Sequence, residues 1–504
     1  MALGLLGIDC WQRQYQLTLA IYELATETAY FCGEFEEIER LANSVLHHSK
    51  NLWQTVRIYE IKIEICLARN QIAQAVKIGL EVLDILGFKL TTKPNIPQVL
   101  FELLRTRLAL AGRSIKQLRH LPEMTDLKAR AALQVMDKIA TTVALTNPKL
   151  YPLIICKIIN LTLRYGNDPN SAVGYIGYEI ILNIGFGDIK NGYQFGKLAL
   201  DLVEKFKFKR KILTGFSTCI KHWKHHLKET LQSLKEVVQI GLETGDSKLF
   251  AFTAGSYCVH SFFSGKQLDI LEKEMASYGE TIQHCKQELA LESVKIYHQV
   301  VLNLLGRSEN PCRLIGEVYD SRQRLSLPEE SNIITITFVE NFYSLILCYL
   351  FGEIHQAAAL AKLAEKNLKS MASSINSPLF HFYDSLVKIA LYPEGSSYDK
   401  ICWIGRVKKN QKKMKKWADR APTNFLHKYY LVEAELNRVL GRSLEAIAQY
   451  DKAIELAKAN EYINEEALAN ELTAKFYLSR EKTKIAGLYM QEARYCYQKW
   501  GWLR

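Results

Sequence analysis

The stretch 440–457, "LGRSLEAIAQYDKAIELA", decides the fold class of this chain. Its turn residue, Gly441, is followed by three residues on one helical face, spaced by four and three: Ala446, Tyr450 and Ala453. Ala434 stands seven residues before the glycine. Small residues let two antiparallel helices approach closely, and an aromatic ring fills the gap to the next pair. The stretch therefore predicts a helical hairpin.

This order of residues resembles a tetratricopeptide (TPR) hairpin, although Lys458 stands where that family has a proline. Forty residues later, the three alanines return at Ala474, Ala486 and Ala493. Similar turns occur in "FCGEFEEIERLA" (31–42), "ARNQIAQAVKIGLEVL" (68–83), "FGDIKNGYQFGKLA" (186–199), "FSGKQLDILEKEM" (263–275) and "LFGEIHQAAALAKLA" (350–364). The turn at Gly306 fits less well because Pro311 interrupts it. The sequence predicts an all-α, TPR-like α-solenoid, a right-handed superhelix of antiparallel helix pairs with a period of about 40 residues.

Breaks in the helical pattern suggest three parts of one continuous superhelix. We expect N-terminal helical repeats in 1–90, central helical repeats in 91–320 and C-terminal TPR-like repeats in 321–504. The β-like run "IITITF" (333–338) leads into a helical pattern.

Composition is that of an ordinary folded protein: 48% of the 504 residues are apolar and 23% are charged. The eleven cysteines are scattered without a CxxC pair, which indicates small core residues in a reducing compartment. The most apolar segment, 334–351, is interrupted by Glu340 and Asn341, and the first residues lack the basic region of a signal peptide. We expect no membrane span and a cytoplasmic location.

A cluster of histidines in "CIKHWKHHLKETL" (219–231) raises the question of a metal site. On a continuous helix, Cys219, His222 and His226 would share a face, but zinc takes about four converging ligands. The repeat spacing instead places the segment in a hairpin turn with Trp223 packed beneath it. We favour the turn over a metal site.

The sequence contains no phosphate-binding loop, kinase motif set, nucleophile elbow, zinc-protease helix or EF-hand loop. The carboxylates Glu465 and Glu466 lie on an amphipathic pattern and are expected to be solvated. We therefore predict no catalytic residue, no cofactor, no bound metal and no enzyme activity in this chain.

The segment 406–420, "RVKKNQKKMKKWADR", carries eight Lys or Arg residues against one Asp, a net charge of +7 within a chain total of +12. As a helix it would have an apolar stripe of Ile404, Val407, Met414 and Ala418. The candidate partner-binding residues are Lys408, Lys409, Lys412, Lys413, Lys415, Lys416 and Trp417. This face could bind an acidic protein, anionic lipid or nucleic acid, or be only a solvated surface. Irregular repeat spacing argues against a base-reading array, so a protein partner is expected.

An alternative is a small-molecule sensor seated between helices, with His222, Trp223, His260 and His381 as candidate ligands. The competing interpretation is that these side chains are ordinary packing residues, which the helical pattern favours.

Longer phrases resemble the helical region of large cyanobacterial multi-sensor signalling kinases. They include "HWKHHLKETL" (222–231), "HSFFSGK" (260–266), "LNLLGRSENPCRLIGEVYD" (302–320), "NFLHKYYLVEAELNRVLG" (424–441) and "NEEALANELTAKFYL" (464–478). In that family the region lies between an AAA/STAND-type ATPase and a GAF domain, within serine/threonine and histidine kinases. The resemblance implies a non-catalytic interaction or sensor-relay module, truncated or split from such a kinase, with kinase, ATPase and GAF parts supplied in trans.

Overall fold

The computed structural model describes the chain as an all-α fold. The described residues are 2–7, 9–32, 35–49, 52–68, 71–206, 210–323 and 330–502. Up to residue 181 the α-helices are α1 (Cys10–Arg13), α2 (Tyr15–Cys32), α3 (Phe35–His48), α4 (Leu52–Ala68), α5 (Ile72–Ile85), α6 (Ile96–Leu110), α7 (Ile115–Arg119), α8 (Leu127–Thr146), α9 (Leu150–Tyr165) and α10 (Ser171–Ile181).

The α-helices that follow are α11 (Ile189–Phe206), α12 (Arg210–Cys219), α13 (Lys228–Glu243), α14 (Ser247–Phe263), α15 (Leu268–His284), α16 (Glu288–Leu304), α17 (Glu330–Phe351), α18 (Ile354–Asn367), α19 (Asn376–Leu391), α20 (Ser397–Ala418), α21 (Pro422–Val439), α22 (Ser443–Ala459), α23 (Ile463–Leu478) and α24 (Thr483–Trp500). Short 3₁₀ segments are Ala2–Leu5, Lys221–Trp223, Ser321–Gln323, Leu368–Met371 and Tyr392–Glu394, and a π-helical turn spans Leu182–Phe186. Within the described ranges, β-type pairing is confined to isolated bridges between Glu123 and Asn167 and between Ile315 and Asp320.

The chain forms two compact units. Unit 1 comprises Met1–Ile181 and Gln194–Phe208, and unit 2 comprises Leu182–Tyr193 and Lys209–Arg504. In unit 1, Ile38 of α3 and Ile58 of α4 belong to one buried apolar cluster. In unit 2, a larger apolar core includes side chains from α14 to α24. The division of the chain into three parts stays a prediction.

Successive helices pair through short turns, and the hairpin of α21 and α22 shows why. All four residues of its predicted packing pattern are at most 1% exposed: Ala434, Ala446, Tyr450 and Ala453. Their counterparts on α23 and α24 are also buried: Ala474, Ala486 and Ala493. Small side chains on facing helices let the backbones approach, and burial of apolar surface then holds the pair together. The prediction of an all-α solenoid of helix pairs is confirmed.

The predicted turn glycines end their helices in the left-handed conformation, as at Gly352 (φ +90°) and Gly441 (φ +74°). Turns are also found at Gly187 and Gly265. At the turn predicted without glycine, α4 ends at Ala68 and α5 begins at Ile72, and residues 69–70 between them lie outside the described residues. Gly33 lies outside the described residues. After Gly306 the chain enters an irregular loop rather than a helix, in keeping with its poorer fit to the pattern.

The β-like run 333–338 lies inside α17, where burial among neighbouring helices overrides local β preference. Among the described residues, Ile334–Phe351 of this helix is long and apolar enough to cross a membrane. The structure buries 67% of that stretch, however, which is also how a core helix of a soluble protein looks. The stretch is therefore weak support for a membrane span.

Candidate functional site: the basic face of α20

Helix α20 carries the basic segment and presents two different faces. It begins where Ser396 and Asp399 form a capping box, in which each side chain accepts a hydrogen bond from the other's backbone N–H. Of the predicted apolar stripe, Val407, Met414 and Ala418 are buried, which confirms that part of the prediction. Ile404 is half-buried. The stripe packs α20 against the other helices of unit 2, so that the lysines of its basic segment face outward.

The six candidate lysines of α20 are all exposed and fall into two rows with the spacing i, i+4, i+7. The first row is Lys408, Lys412 and Lys415, and the second row is Lys409, Lys413 and Lys416. Only Lys415 has an ion pair within the described residues, with Asp419 at 2.6 Å. An exposed pair of this kind adds little stability and leaves most of the positive charge of the face uncompensated.

The two rows lie beside different helices. The ammonium of Lys413, in the second row, lies 3.2 Å from Nε2 of His381 on α19. Burial, followed by the nearby charges of Arg406 and Lys409, lowers the pKa of Lys413. The first row, by contrast, borders α21.

The first row forms one wall of an open cleft of about 380 Å³, which we call the lysine cleft. Its lining residues are Lys408, Gln411, Lys412, Lys415, Tyr429, Glu433, Leu436, Asn437, Leu440 and Arg442. Gln411 crosses the floor and donates hydrogen bonds to the carbonyl oxygen of Tyr429 at 3.0 Å and to Glu433 at 2.7 Å. Sequence reasoning missed Tyr429, Glu433 and Arg442, because only the folding of the α21–α22 hairpin brings them beside α20.

Trp417 does not join the lysines. Its ring is half-buried in an aromatic cluster, with ring centroids 5.8 Å from Trp223, 5.6 Å from His381 and 6.5 Å from Phe425. A ring enclosed on several sides packs α20 onto its neighbours. The structure therefore separates this member of the candidate set from the six exposed lysines.

Arg406 also turns inward and anchors α20. Its guanidinium forms ion pairs with Asp384 at 2.7 Å and Glu365 at 2.6 Å. Asn410 of α20 donates a further hydrogen bond to Asp384 at 2.9 Å. A buried carboxylate such as Asp384 requires these partners, since an unpaired charge in a protein interior is costly. The basic segment thus combines an inward structural arginine with outward lysines.

The histidine segment connects α12 to α13, as predicted. Helix α12 ends at Cys219, a 3₁₀ turn spans Lys221–Trp223, and α13 begins at Lys228. Trp223 is 3% exposed, which confirms the prediction that it packs beneath a turn. Within the described ranges, no three His, Cys, Asp or Glu side chains gather in a way that could hold a metal ion.

The four side chains that were candidates for binding a small molecule lie in one buried aromatic cluster. Ring centroids are 6.0 Å apart between His260 and His222 and 4.5 Å apart between His222 and Trp223. Trp417 then links Trp223 to His381. Burial lowers the pKa of His260 to about 3 and, together with the charge of Lys413, that of His381 to about 4, so both rings are neutral near pH 7.

The turn after α12 is held by residues some 200 positions later in the chain. The side-chain amide of Asn424 donates to the carbonyl oxygens of His222 and His225, each at 2.7 Å. Its oxygen accepts from the N–H of Leu227 at 2.9 Å and from the hydroxyl of Tyr462 at 2.7 Å. We call this arrangement the Asn424 clip. Every hydrogen-bonding position of a buried amide is used, which is the arrangement that stabilises a polar group in a core.

A buried ionic cluster lies beside the clip and corrects one expectation. Glu465 was expected to be solvated, but it is 2% exposed and binds the ammonium of Lys428 at 2.7 Å and the ring of His427. Burial alone would raise the pKa of Glu465, but the charges of Lys428 and His427 lower it overall. The expectation was wrong because α21 supplies both partners opposite α23, a contact that local sequence does not reveal.

No family model matches the chain. The "Hybrid signal transduction histidine kinase G" of Dictyostelium discoideum is 20% identical over an alignment of 318 residues that covers 59% of this chain. The matched chain spans 9% of that kinase's length. A solved "Circular tandem repeat protein with novel repeat topology and enhanced subunit contact surfaces" is 12% identical over 96% of this chain and 97% of its own, with a TM-score of 0.19. At that TM-score the likeness carries no structural argument, and the fold rests on the helix pairs described above. The weak similarity to a signalling kinase fits a helical-repeat module.

Proposed function

We propose that this chain is a non-catalytic interaction module of a signal-transduction kinase system and binds an acidic protein partner through the exposed lysines of α20. One observation carries the proposal. Lys408, Lys409, Lys412 and Lys416 are exposed, and no carboxylate in the described part of the chain lies within ion-pair distance of them. A cationic surface without counter-charges attracts an anionic partner and speeds its association.

A rigid helix makes this surface specific. Val407, Met414 and Ala418 hold α20 in place, and Arg406 ties it to Asp384 and Glu365. The lysines therefore stand at fixed spacings, and less conformational entropy is lost on binding than on a flexible tail. An acidic partner with carboxylates at matching spacings would be selected over one with a random charge pattern.

The phrases shared with multi-sensor kinases support a finer proposal. The chain acts as the helical region that lies between the ATPase and GAF domains in those kinases, and it acts in the cytoplasm. Its partner would be a kinase, ATPase or GAF part supplied in trans. The weak similarity to a hybrid histidine kinase supports the signalling context.

The test compares three anionic probes on the purified full chain: a polyglutamate peptide, vesicles of phosphatidylserine and phosphatidylcholine, and single-stranded RNA. We expect the polyglutamate peptide to bind most tightly. Its affinity should fall as salt is added, because screening reduces the attraction between exposed charges. If the vesicles or the RNA bound more tightly, the partner would be a lipid surface or a nucleic acid instead of an acidic protein. Absence of binding to all three would reject an anionic partner.

A further inference from the structure

We propose that the lysine cleft binds the phosphoryl group of a phosphorylated segment in the protein partner. This inference rests on the proposed function and deepens it, since it names the chemical group that the first lysine row receives.

Positive charge in the cleft exceeds what its own carboxylate compensates. Lys408, Lys412, Lys415 and Arg442 line the cleft against a single lining carboxylate, Glu433. One oxygen of Glu433 already accepts a hydrogen bond from Gln411 at 2.7 Å. Within the described residues, Arg442, like Lys408 and Lys412, has no ion pair. Because Lys415 is paired with Asp419, the three remaining cations and Glu433 leave the cleft a net charge of about +2, one more than a single bound carboxylate would neutralise.

A phosphomonoester matches this surplus better than a carboxylate does. It carries a charge of roughly −1.5 to −2 near pH 7 and presents three acceptor oxygens. Charge-assisted hydrogen bonds from ammonium and guanidinium groups are the strong class, and a planar guanidinium such as that of Arg442 can donate two in parallel. Lysines at i and i+4 of one helix supply further donors on the same side.

The remaining lining residues suit the chain that carries the phosphoryl group. Tyr429, Leu436 and Leu440 provide apolar surface, and Lys415 lies 5.7 Å from the centre of the Tyr429 ring. Asn437 lies among them, with its side chain already donating to Gln449 at 2.9 Å. A volume of about 380 Å³ lies within the range of small-ligand pockets, which is enough for one phosphorylated side chain.

The experiment measures fluorescence anisotropy of two labelled peptides with the full chain. Both peptides have the same acidic sequence around a central serine, and only one is phosphorylated there. We expect the phosphorylated peptide to bind roughly tenfold more tightly, the ratio that corresponds to one additional charge-assisted hydrogen bond.

A matched pair of variants locates the effect. K408Q/K412Q removes two charges from the cleft, and K409Q/K416Q removes two charges from the second row of the same helix. We expect K408Q/K412Q to bind both peptides with equal affinity, without a preference for the phosphorylated one. We expect K409Q/K416Q to keep the preference while its affinity for both peptides falls by the same factor.

The outcomes separate the two proposals. Equal affinity for both peptides, or equal loss of preference in both variants, overturns the phosphoryl site and leaves the acidic-partner proposal intact. Failure of both peptides to bind the wild-type chain overturns both proposals. Circular dichroism of each variant confirms that the helices are retained.

Discussion

The side-chain amide of Asn424 donates a 2.7 Å hydrogen bond to the carbonyl oxygen of His222, although the two residues are 202 positions apart. Two further contacts reinforce the link between these segments: His226 Nε2 donates to the carbonyl of Asn460 at 2.8 Å, and Lys228 pairs with Glu461 at 2.7 Å. Unit 2 therefore brings its early turn against its late repeats. This arrangement explains why His222 and Trp223 of the histidine segment are buried.

Replacing Asn424 with alanine should destabilise unit 2 by about 3 kcal/mol, because buried groups at His222 and Leu227 lose their partner. The midpoint of urea unfolding, followed by tryptophan fluorescence, measures the loss. The control is N437A, which removes a less deeply buried amide whose side chain donates to Gln449 among the described residues. Equal midpoints for N424A and N437A would contradict the importance of the clip.

Local repeats were predictable from sequence, and the long-range contacts were not. Ala446 and Tyr450 lie four apart on one helix, so helical periodicity alone placed them on the packed face. No helical periodicity in the sequence connects Asn424 with His222, and an asparagine can equally well cap a helix or face solvent. Their pairing follows only from how the intervening helix pairs stack.

The same limit applies to the candidate site. The lysines of α20 were identifiable as a charge cluster, and the buried stripe of Val407 and Met414 fixed which way they face. Trp417 was grouped with them because it is adjacent in sequence, but the helix turns it towards Trp223. Arg442 was missed because it joins the cleft across a hairpin turn.

Acid should destabilise unit 2 through His427. Burial and the charge of Lys428 lower the pKa of His427 to about 4, against about 6.5 in an unfolded chain, despite the opposing effect of Glu465. The unfolded state thus binds more protons between these values. His427 therefore costs no stability above about pH 6.5, where it is neutral in both states. As pH falls from about 6.5 to about 4, the free energy of unfolding decreases by about 3 kcal/mol.

The variant H427Q should flatten the pH dependence of the unfolding free energy between pH 6.5 and 4. Glutamine keeps a hydrogen-bond donor for Glu465 but does not titrate. The control is H355Q, since the side chain of His355 is 79% exposed. The same slope in H427Q and in wild type would show that His427 does not account for the acid sensitivity.

Arg406 should matter for stability rather than for binding. The variant R406M leaves Asp384 buried at 2% exposure with a weaker set of partners, and we expect a loss of about 3 kcal/mol. K409Q, on the exposed side of the same helix, should change the unfolding free energy by less than about 0.5 kcal/mol. If chemical denaturation gave equal losses for the two variants, the division of α20 into inward and outward cations would be wrong.

Close helix contact should make Gly241 sensitive to a single methyl group. A Cβ at Gly241 of α13 would lie 2.9 Å from the backbone nitrogen of Phe250 on α14. Backbone cannot yield as a flexible side chain does, so we expect G241A to destabilise unit 2 by roughly 1–3 kcal/mol. Gly487 of α24 has no atom within 4 Å of its Cβ position, so G487A should be stabilising by roughly 0.5–1 kcal/mol. Thermal unfolding of the two variants measures the contrast, and a neutral G241A would contradict the packing described here.

The most direct test of the central claim is the affinity of the full chain for a polyglutamate peptide, measured by isothermal titration calorimetry at roughly 50 mM and roughly 300 mM salt. Wild type should bind at the lower salt concentration and weaken at least tenfold at the higher one. The variant K408Q/K409Q/K412Q/K416Q should bind weakly at both concentrations while retaining wild-type unfolding behaviour. Wild-type affinity in this variant would contradict the claim that the lysines of α20 form the partner-binding surface.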